Sequence, residues 1–331
     1  MRALVTFLFL FVAITLSGQE KKYVTVQKTV KLMGSRFDIT VVASNEEVGN
    51  ANIQEVIDEI TRIEKIISSW DQDSETSLVN KNAGIKPVKV SPELFGLIER
   101  AIKISEITDG AFDITYASMD QVWKFDGTMK YPPTAKEISN SIARVGYKKI
   151  VLNKENSTVF LKEPGMKIGF GAIGKGFAAD KAKELMLSKH VFAGIINASG
   201  DLTAWGSQAS GEKWIVGITN PLDKEKVFSW LPINESSVAT SGNYEKFVTF
   251  NGEKYSHIID PRTGYPSKGI NSVSVFSKRA ELCDALATAV FIMGVETGLS
   301  FINQLQGTEI IIIDATNKIH KSNGIKFDEN E

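Results

Sequence analysis

The sequence contains a single cysteine, Cys283, in 331 residues. No internal disulfide can form, so a chain exported to an oxidising compartment must rely on its core for stability. Excess charge of one sign is also lacking: 38 Lys and Arg stand against 39 Asp and Glu, a formal net charge of −1. Nucleic acid is therefore not an expected partner, since it requires a basic footprint. Histidine is scarce, with only His190, His257 and His320. Long linkers and internal repeats are absent. What remains, 43% hydrophobic and 23% charged residues, is an ordinary globular composition with room for a large core.

The one long apolar run lies at the start. In MRALVTFLFLFVAITLSGQ, Arg2 precedes an apolar stretch over residues 3–16, and small Ser17 and Gly18 follow. This reads as a secretory signal over residues 1–18, cleaved before Gln19. An uncleaved membrane anchor is the alternative, although the run is short for a span. No cysteine ends it, so the chain is not a lipoprotein. The expectation is a periplasmic or otherwise exported protein with one domain over residues 19–320 and a polar tail, KSNGIKFDENE, that frays over 321–331.

After residue 22, strand and helix patterns alternate. YVTVQKTVKLMGSRFDITVVA reads as two strands around Met33-Gly34-Ser35. Ile53, Val56, Ile57, Ile60, Ile63 and Ile67 recur at helical spacing. Ser91-Pro92 starts a second helix as N-cap and first-turn proline, and Thr134-x-x-Glu137 is a capping box for a third. Strands are predicted near 148–151, 157–161 and 166–169, then a helix over 174–189. Further strands fall at 193–197, 214–218, 247–250, 255–259 and 271–276, helices near 279–292 and 295–305, and a last strand at 308–313. The strand-rich second half favours an α+β fold over a doubly wound sheet.

Four stretches carry candidate chemistry. KIGFGAIGKGFAADKA contains Gly169-x-Gly171-x-x-Gly174, a dinucleotide fingerprint in form, and Gly169-x4-Gly174-Lys175, nearly a P-loop. The P-loop template fails at Gly176, where Ser or Thr should hold Mg²⁺, and no acidic residue ends the next strand for a ribose. Glycines and amides at a helix start still suit phosphate oxygens, with Lys175 adding positive charge; a close-packed junction with a solvated lysine is the alternative. In ELCDALATAVF, Asp284 and Thr288 are four apart and share a helix face. They form either a hard-oxygen pair suited to Mg²⁺ or an Asp at a helix start with a Thr bonded back to its own helix; the face alone favours the second. Asp113 and Asp201 sit in polar loops as ligand contacts or turn formers, and Trp70 can stack on a flat ring or cap the core. Finally, His257 opens HIIDPRTGYPS, which must fold as a tight loop after a strand. His190 and His320 read as incidental.

These motifs, with MGSRFDI, SSWDQDSETSLVN, DGAFDIT, NASGDLTAWG and TSGNYEKF in the same order, resemble the FAD:protein FMN transferases of the ApbE-type flavin transferase family. The resemblance runs from Met33 to IIIID. It implies a single mixed α/β catalytic domain, ApbE-like and T-fold-related. The implied reaction is Mg²⁺-dependent transfer of FMN from FAD to a Thr or Ser hydroxyl of a partner protein, releasing AMP. Carried over, it places the metal on Asp284, Thr288 and the Ala172 carbonyl. Flavin contacts fall to Met33, Trp70, Ala111, Phe112, Asp113, Lys175 and Ile258. Many members carry Asp where Gly169 stands, so the adenosine-side contacts differ here. His257 is the candidate general base and Asp284 its rival, although a metal-bound carboxylate is a poor proton acceptor. The chain lacks the D-G-x-[ST]-x-[AS]-T segment such enzymes modify. The implied acceptor is therefore another exported protein, a flavoprotein subunit of an Rnf-type or Na⁺-translocating quinone reductase. The rivals are a Mg²⁺-dependent FAD pyrophosphatase and a non-catalytic flavin-binding protein; a Rossmann oxidoreductase lacks its acidic residue.

Overall fold

Alternation of polar and apolar residues makes two strands at the start of the described chain. β1 (Val24–Leu32) and β2 (Ser35–Ala43) pair antiparallel around Met33-Gly34. In β2, Phe37, Ile39 and Val41 are fully buried on one face, and Arg36, Asp38 and Thr40 take the other. The computed structural model describes residues 23–220, 223–233, 235–244 and 246–326. The signal segment read over residues 1–18 lies outside them.

α1 (Glu46–Ile67) is capped by Asn45 and buries the expected isoleucine stripe. After α2 (Glu75–Lys81) and β3 (Val88–Lys89), α3 (Pro92–Ile107) begins as predicted, the Leu94 N–H donating to Ser91 Oγ at 3.2 Å. α4 (Ala135–Ser141) opens on the Thr134–Glu137 capping box. β4 (Ile150–Asn153) and β5 (Thr158–Leu161) join β3 in a three-stranded sheet. The strand predicted at 166–169 does not form. Side chains replace a partner strand there: Asn80 Oδ1 accepts the Ile168 N–H at 2.8 Å, and Ser118 Oγ accepts the Lys167 N–H at 2.7 Å.

The second half continues with α5 (Gly174–Ser188), β6 (Gly194–Ala198), β7 (Asp201–Trp205), β8 (Trp214–Asn220), β9 (Asp223–Ile233) and β10 (Ser237–Gly242). It closes with β11 (Phe247–Phe250), β12 (Glu253–Ser256), β13 (Ile270–Ser277), α6 (Ala280–Met293), α7 (Val295–Ile302), β14 (Glu309–Asp314) and β15 (Ile319–Lys321). Two readings need correction here. The strand expected over 255–259 stops at Ser256, and the stretch read as a polar loop around Asp201 contains β7. At the start of the polar C-terminal segment, Ser322 is buried and hydrogen-bonded to Ile310.

The main sheet has the order β1-β2-β6-β7-β10-β13-β14-β15, and all its pairings are antiparallel. A doubly wound fold needs parallel strands joined by crossover helices, so the architecture is α+β. The helices α1, α5 and α6 pack on one face around the principal core. The opposite face is covered by the β8–β9 hairpin over a second, smaller core that includes Val42, Leu202, Trp214 and Val238.

Candidate active site

The site is built where α5 starts, because the glycines there let two helices and a strand meet. At Gly176 an added Cβ would lie 2.2 Å from the Ala280 carbonyl oxygen, so only glycine allows α5 to pack against the first turn of α6. The Gly176 N–H then points across the junction and donates to Asp284 Oδ2 at 3.2 Å. Asp284 is buried; burial pushes its carboxyl up, while Lys175 and the Gly176 N–H pull it back.

Lys175 reaches the carboxylate of Asp201, and the two form an ion pair. Asp201 follows the Ser199-Gly200 turn, in which both residues have positive φ, 54° and 102°. That geometry is the tight hairpin turn that matches strand twist, and it fixes Asp201 as the first residue of β7. Thr288 lies one turn beyond Asp284, with its hydroxyl 3.4 Å from Ser241 Oγ on β10. Ala172 stands just before the α5 cap, and its carbonyl accepts no hydrogen bond among the described residues. The structure thus brings Lys175, Asp201, Gly176 and Asp284 together, with Thr288 one helical turn from Asp284. A Cβ added at Gly169 would lie 3.0 Å from Ala117 Cβ, and Gly169 does not follow a strand, so neither nucleotide-loop template applies.

Among the described residues no group of three or more His, Cys, Asp or Glu gathers around a common point. Any metal here must combine the single carboxylate with hydroxyl and carbonyl oxygens. Such a donor set suits Mg²⁺, which takes few protein ligands and keeps waters and phosphates. Asp284, Thr288 and the Ala172 carbonyl are the oxygen donors that could meet such a requirement.

The expected flavin residues divide. Trp70 is 92% exposed just past α1, an open aromatic face. Met33 holds the β1–β2 turn at φ 50° and donates its N–H to Glu64 Oε2 at 3.0 Å. Ala111, Phe112 and Ile258 are buried. The Asp113 carboxylate is already engaged: it accepts from the Thr115 N–H and hydroxyl at 2.7 and 2.6 Å and from the Tyr147 N–H at 2.8 Å. Its side chain shapes the loop, so these positions would meet a ligand chiefly through backbone.

His257 lies just past β12. Its N–H and Nδ1 both face the Lys246 carbonyl, at 3.0 and 3.1 Å. A carbonyl can only accept, so Nδ1 donates its hydrogen in this contact. The DPRTG loop beside it is rigid: Asp260 accepts from Arg262 N, Nε and Nη2, and the Trp123 indole donates to the Gly264 carbonyl at 2.9 Å.

Asp180 is the residue that the sequence reading missed. It lies on α5 four residues after Gly176, on the same face, and its two oxygens accept the Ala280 and Glu281 N–H groups at 2.9 and 3.0 Å. The i, i+4 spacing of glycine and aspartate in GKGFAAD was the available signal.

An antiparallel α+β fold with a lysine and a hard-oxygen face at a helix N-terminus makes a site suited to a phosphate-bearing substrate. The profile of the ApbE family matches residues 33–312, and the chain belongs to that family. It is 31% identical over 291 residues to the FAD:protein FMN transferase of Treponema pallidum, covering 83% of this chain and 80% of that one. It is 30% identical over 284 residues to one from Klebsiella pneumoniae, covering 85% and 87%. Among solved structures, the ApbE protein of Thermotoga maritima superposes with a TM-score of 0.82 at 29% identity, over 90% of this chain and 97% of the other. The flavin transferase ApbE of Vibrio cholerae shares the fold, with a TM-score of 0.81 at 24% identity over 91% and 98%. The chain is accordingly an enzyme of the FAD:protein FMN transferase class.

Proposed function

We propose that this enzyme moves FMN from FAD to a Thr or Ser hydroxyl of an exported redox protein, with Mg²⁺ as cofactor and AMP as the released product. The observation that carries this reading is the convergence of Lys175, Asp284 and Thr288 where the glycine-rich start of α5 meets α6. In the step, the acceptor oxygen bonds to the FMN-side phosphorus, the bond from that phosphorus to the bridging oxygen breaks, and AMP leaves with that oxygen. The hydroxyl proton passes to the His257 imidazole on its Nε2 side, since Nδ1 faces the Lys246 carbonyl. Lys175 holds phosphate oxygens and offsets charge as it moves to the leaving phosphate. Asp284, Thr288 and the Ala172 carbonyl would hold Mg²⁺, which supplies fixed positive charge to the pyrophosphate. Trp70 offers its open face to the flavin ring.

The apolar N-terminal run supports export, and a flavoprotein subunit of an Rnf-type or Na⁺-translocating quinone reductase is the acceptor class that fits such a location. The test follows FAD, FMN and AMP by chromatography, with Mg²⁺ and an acceptor fragment or without the acceptor. AMP that appears only with acceptor, and without free FMN, supports transfer. Equal AMP and free FMN in both samples would show hydrolysis instead.

A further inference from the structure

The sheet's outer face carries a feature that the donor site does not use. The second core is packed at one end, where Val42, Ala193, Ala204 and Trp214 meet. Toward the other end the β8–β9 hairpin stands over a cavity of about 600 Å³. A partly open cleft of this size is large enough to take several residues of a bound chain.

We propose that this cavity docks an extended segment of the acceptor protein, adjoining the hydroxyl that receives FMN. The inference rests on the transferase reading above. Strand alternation carries it. On β10, Ser241 turns toward Thr288 on the helix side while its neighbour Thr240 lines the cavity. At the β6–β7 turn, Asp201 pairs with Lys175, while Gly200 and Leu202 line the cavity on either side. On β2, Arg36 lines it three residues after Met33. The same strand ends therefore present one set of residues to the donor site and the alternate set to the cavity. An acceptor chain lying here would approach from the sheet face opposite the helices and leave the helix side to FAD.

The lining fits peptide better than nucleotide. Its floor is apolar, from Ile195, Leu202, Val216 and Val238, and Gln27, Thr40, Asn197 and Tyr244 bring uncharged hydrogen-bonding groups. Among the described residues its one cation, Arg36, is paired with Asp38 of the same lining at 2.9 Å, so the described lining offers no unpaired lysine or arginine to a phosphate. Uncharged donors and acceptors above an apolar floor match an extended backbone with small side chains.

The experiment compares Thr40→Trp, which fills the cavity from β2, with wild type and Thr40→Ser in steady-state transfer to an acceptor fragment. The expected result is an acceptor KM raised about tenfold in Thr40→Trp, equivalent to roughly 1.4 kcal/mol, with an unchanged KM for FAD and little change in Thr40→Ser. A raised KM for FAD would assign the cavity to the donor, and no change in either KM would show it unused; both overturn the proposal. Absence of adduct in wild type with any acceptor would instead defeat the transferase reading. A second measurement does not depend on tolerance of tryptophan. Thr40→Cys places one accessible thiol in the cavity, since Cys283 is fully buried. Acceptor should slow its alkylation and FAD should not; the reverse pattern refutes the proposal.

Discussion

Removing the Asp180 carboxylate should loosen the junction between α5 and α6 that positions Asp284. Asp180 is 4% exposed and accepts the first two N–H groups of α6 at 2.9 and 3.0 Å. In Asp180→Ala both amides stay buried without a partner, at roughly 1–3 kcal/mol each. The favourable placement of an anion at a helix N-terminus, up to about 2 kcal/mol in partly buried geometry, is lost as well. A destabilisation of about 3–5 kcal/mol follows, and at roughly 2 °C per kcal/mol for a chain of this size the Tm should fall by about 6–10 °C. Asp180→Asn keeps one acceptor oxygen and should lose about half as much. Because Asp284 lies one turn into α6, the half-saturating Mg²⁺ concentration should also rise, read by calorimetric titration of the FAD-loaded protein. Thermal melting followed by circular dichroism gives the first number. A Tm within about 2 °C of wild type in Asp180→Ala, with unchanged Mg²⁺ affinity, would refute the clamp.

Other perturbations have equally definite outcomes. Gly176→Ala places a methyl group 2.2 Å from the Ala280 carbonyl oxygen, so α5 and α6 must separate; a loss of about 1–3 kcal/mol by denaturant unfolding is expected, with weakened Mg²⁺ dependence. Lys175→Met should weaken FAD binding, measured by flavin fluorescence, and should free the buried Asp201 carboxylate of its partner. His257→Ala should lower transfer about 10²-fold or more while FAD binding stays near wild type, and full transfer activity would dismiss it as the base. Burial pushes the Cys283 thiol up to about 12, so iodoacetamide should leave it untouched at pH 8 until the chain unfolds. In the unfolded chain that thiol ionises from about pH 8.5, so its contribution to stability falls as pH rises from there to about 12.

Much of the helical layer was legible because its signals are local. The isoleucine spacing of α1, the Ser91 cap of α3, the capping box of α4 and the shared face of Asp284 and Thr288 depend only on neighbours within a turn or two. β7 was not legible, because all five of its residues are buried: the helices cover one face and the β8–β9 hairpin covers the other, which erases the alternation a half-exposed strand shows. The segment 166–169 misled for a related reason. It is extended and apolar, but Asn80 and Ser118 satisfy its amides from far along the chain. The pairing of Lys175 with Asp201 and the grip of Asp180 on α6 are long-range facts of the same kind. They exist only once β7 lies beside α5 and glycine lets α6 close in.

The most direct test of the central claim is the intact and fragment mass of an exported acceptor protein after incubation with FAD, Mg²⁺ and the enzyme lacking residues 1–18. The account predicts a single FMN adduct on a Thr or Ser hydroxyl, formed with one AMP per acceptor and abolished by Asp284→Ala. An unmodified acceptor beside free FMN and AMP, or an adduct that survives Asp284→Ala undiminished, would contradict it.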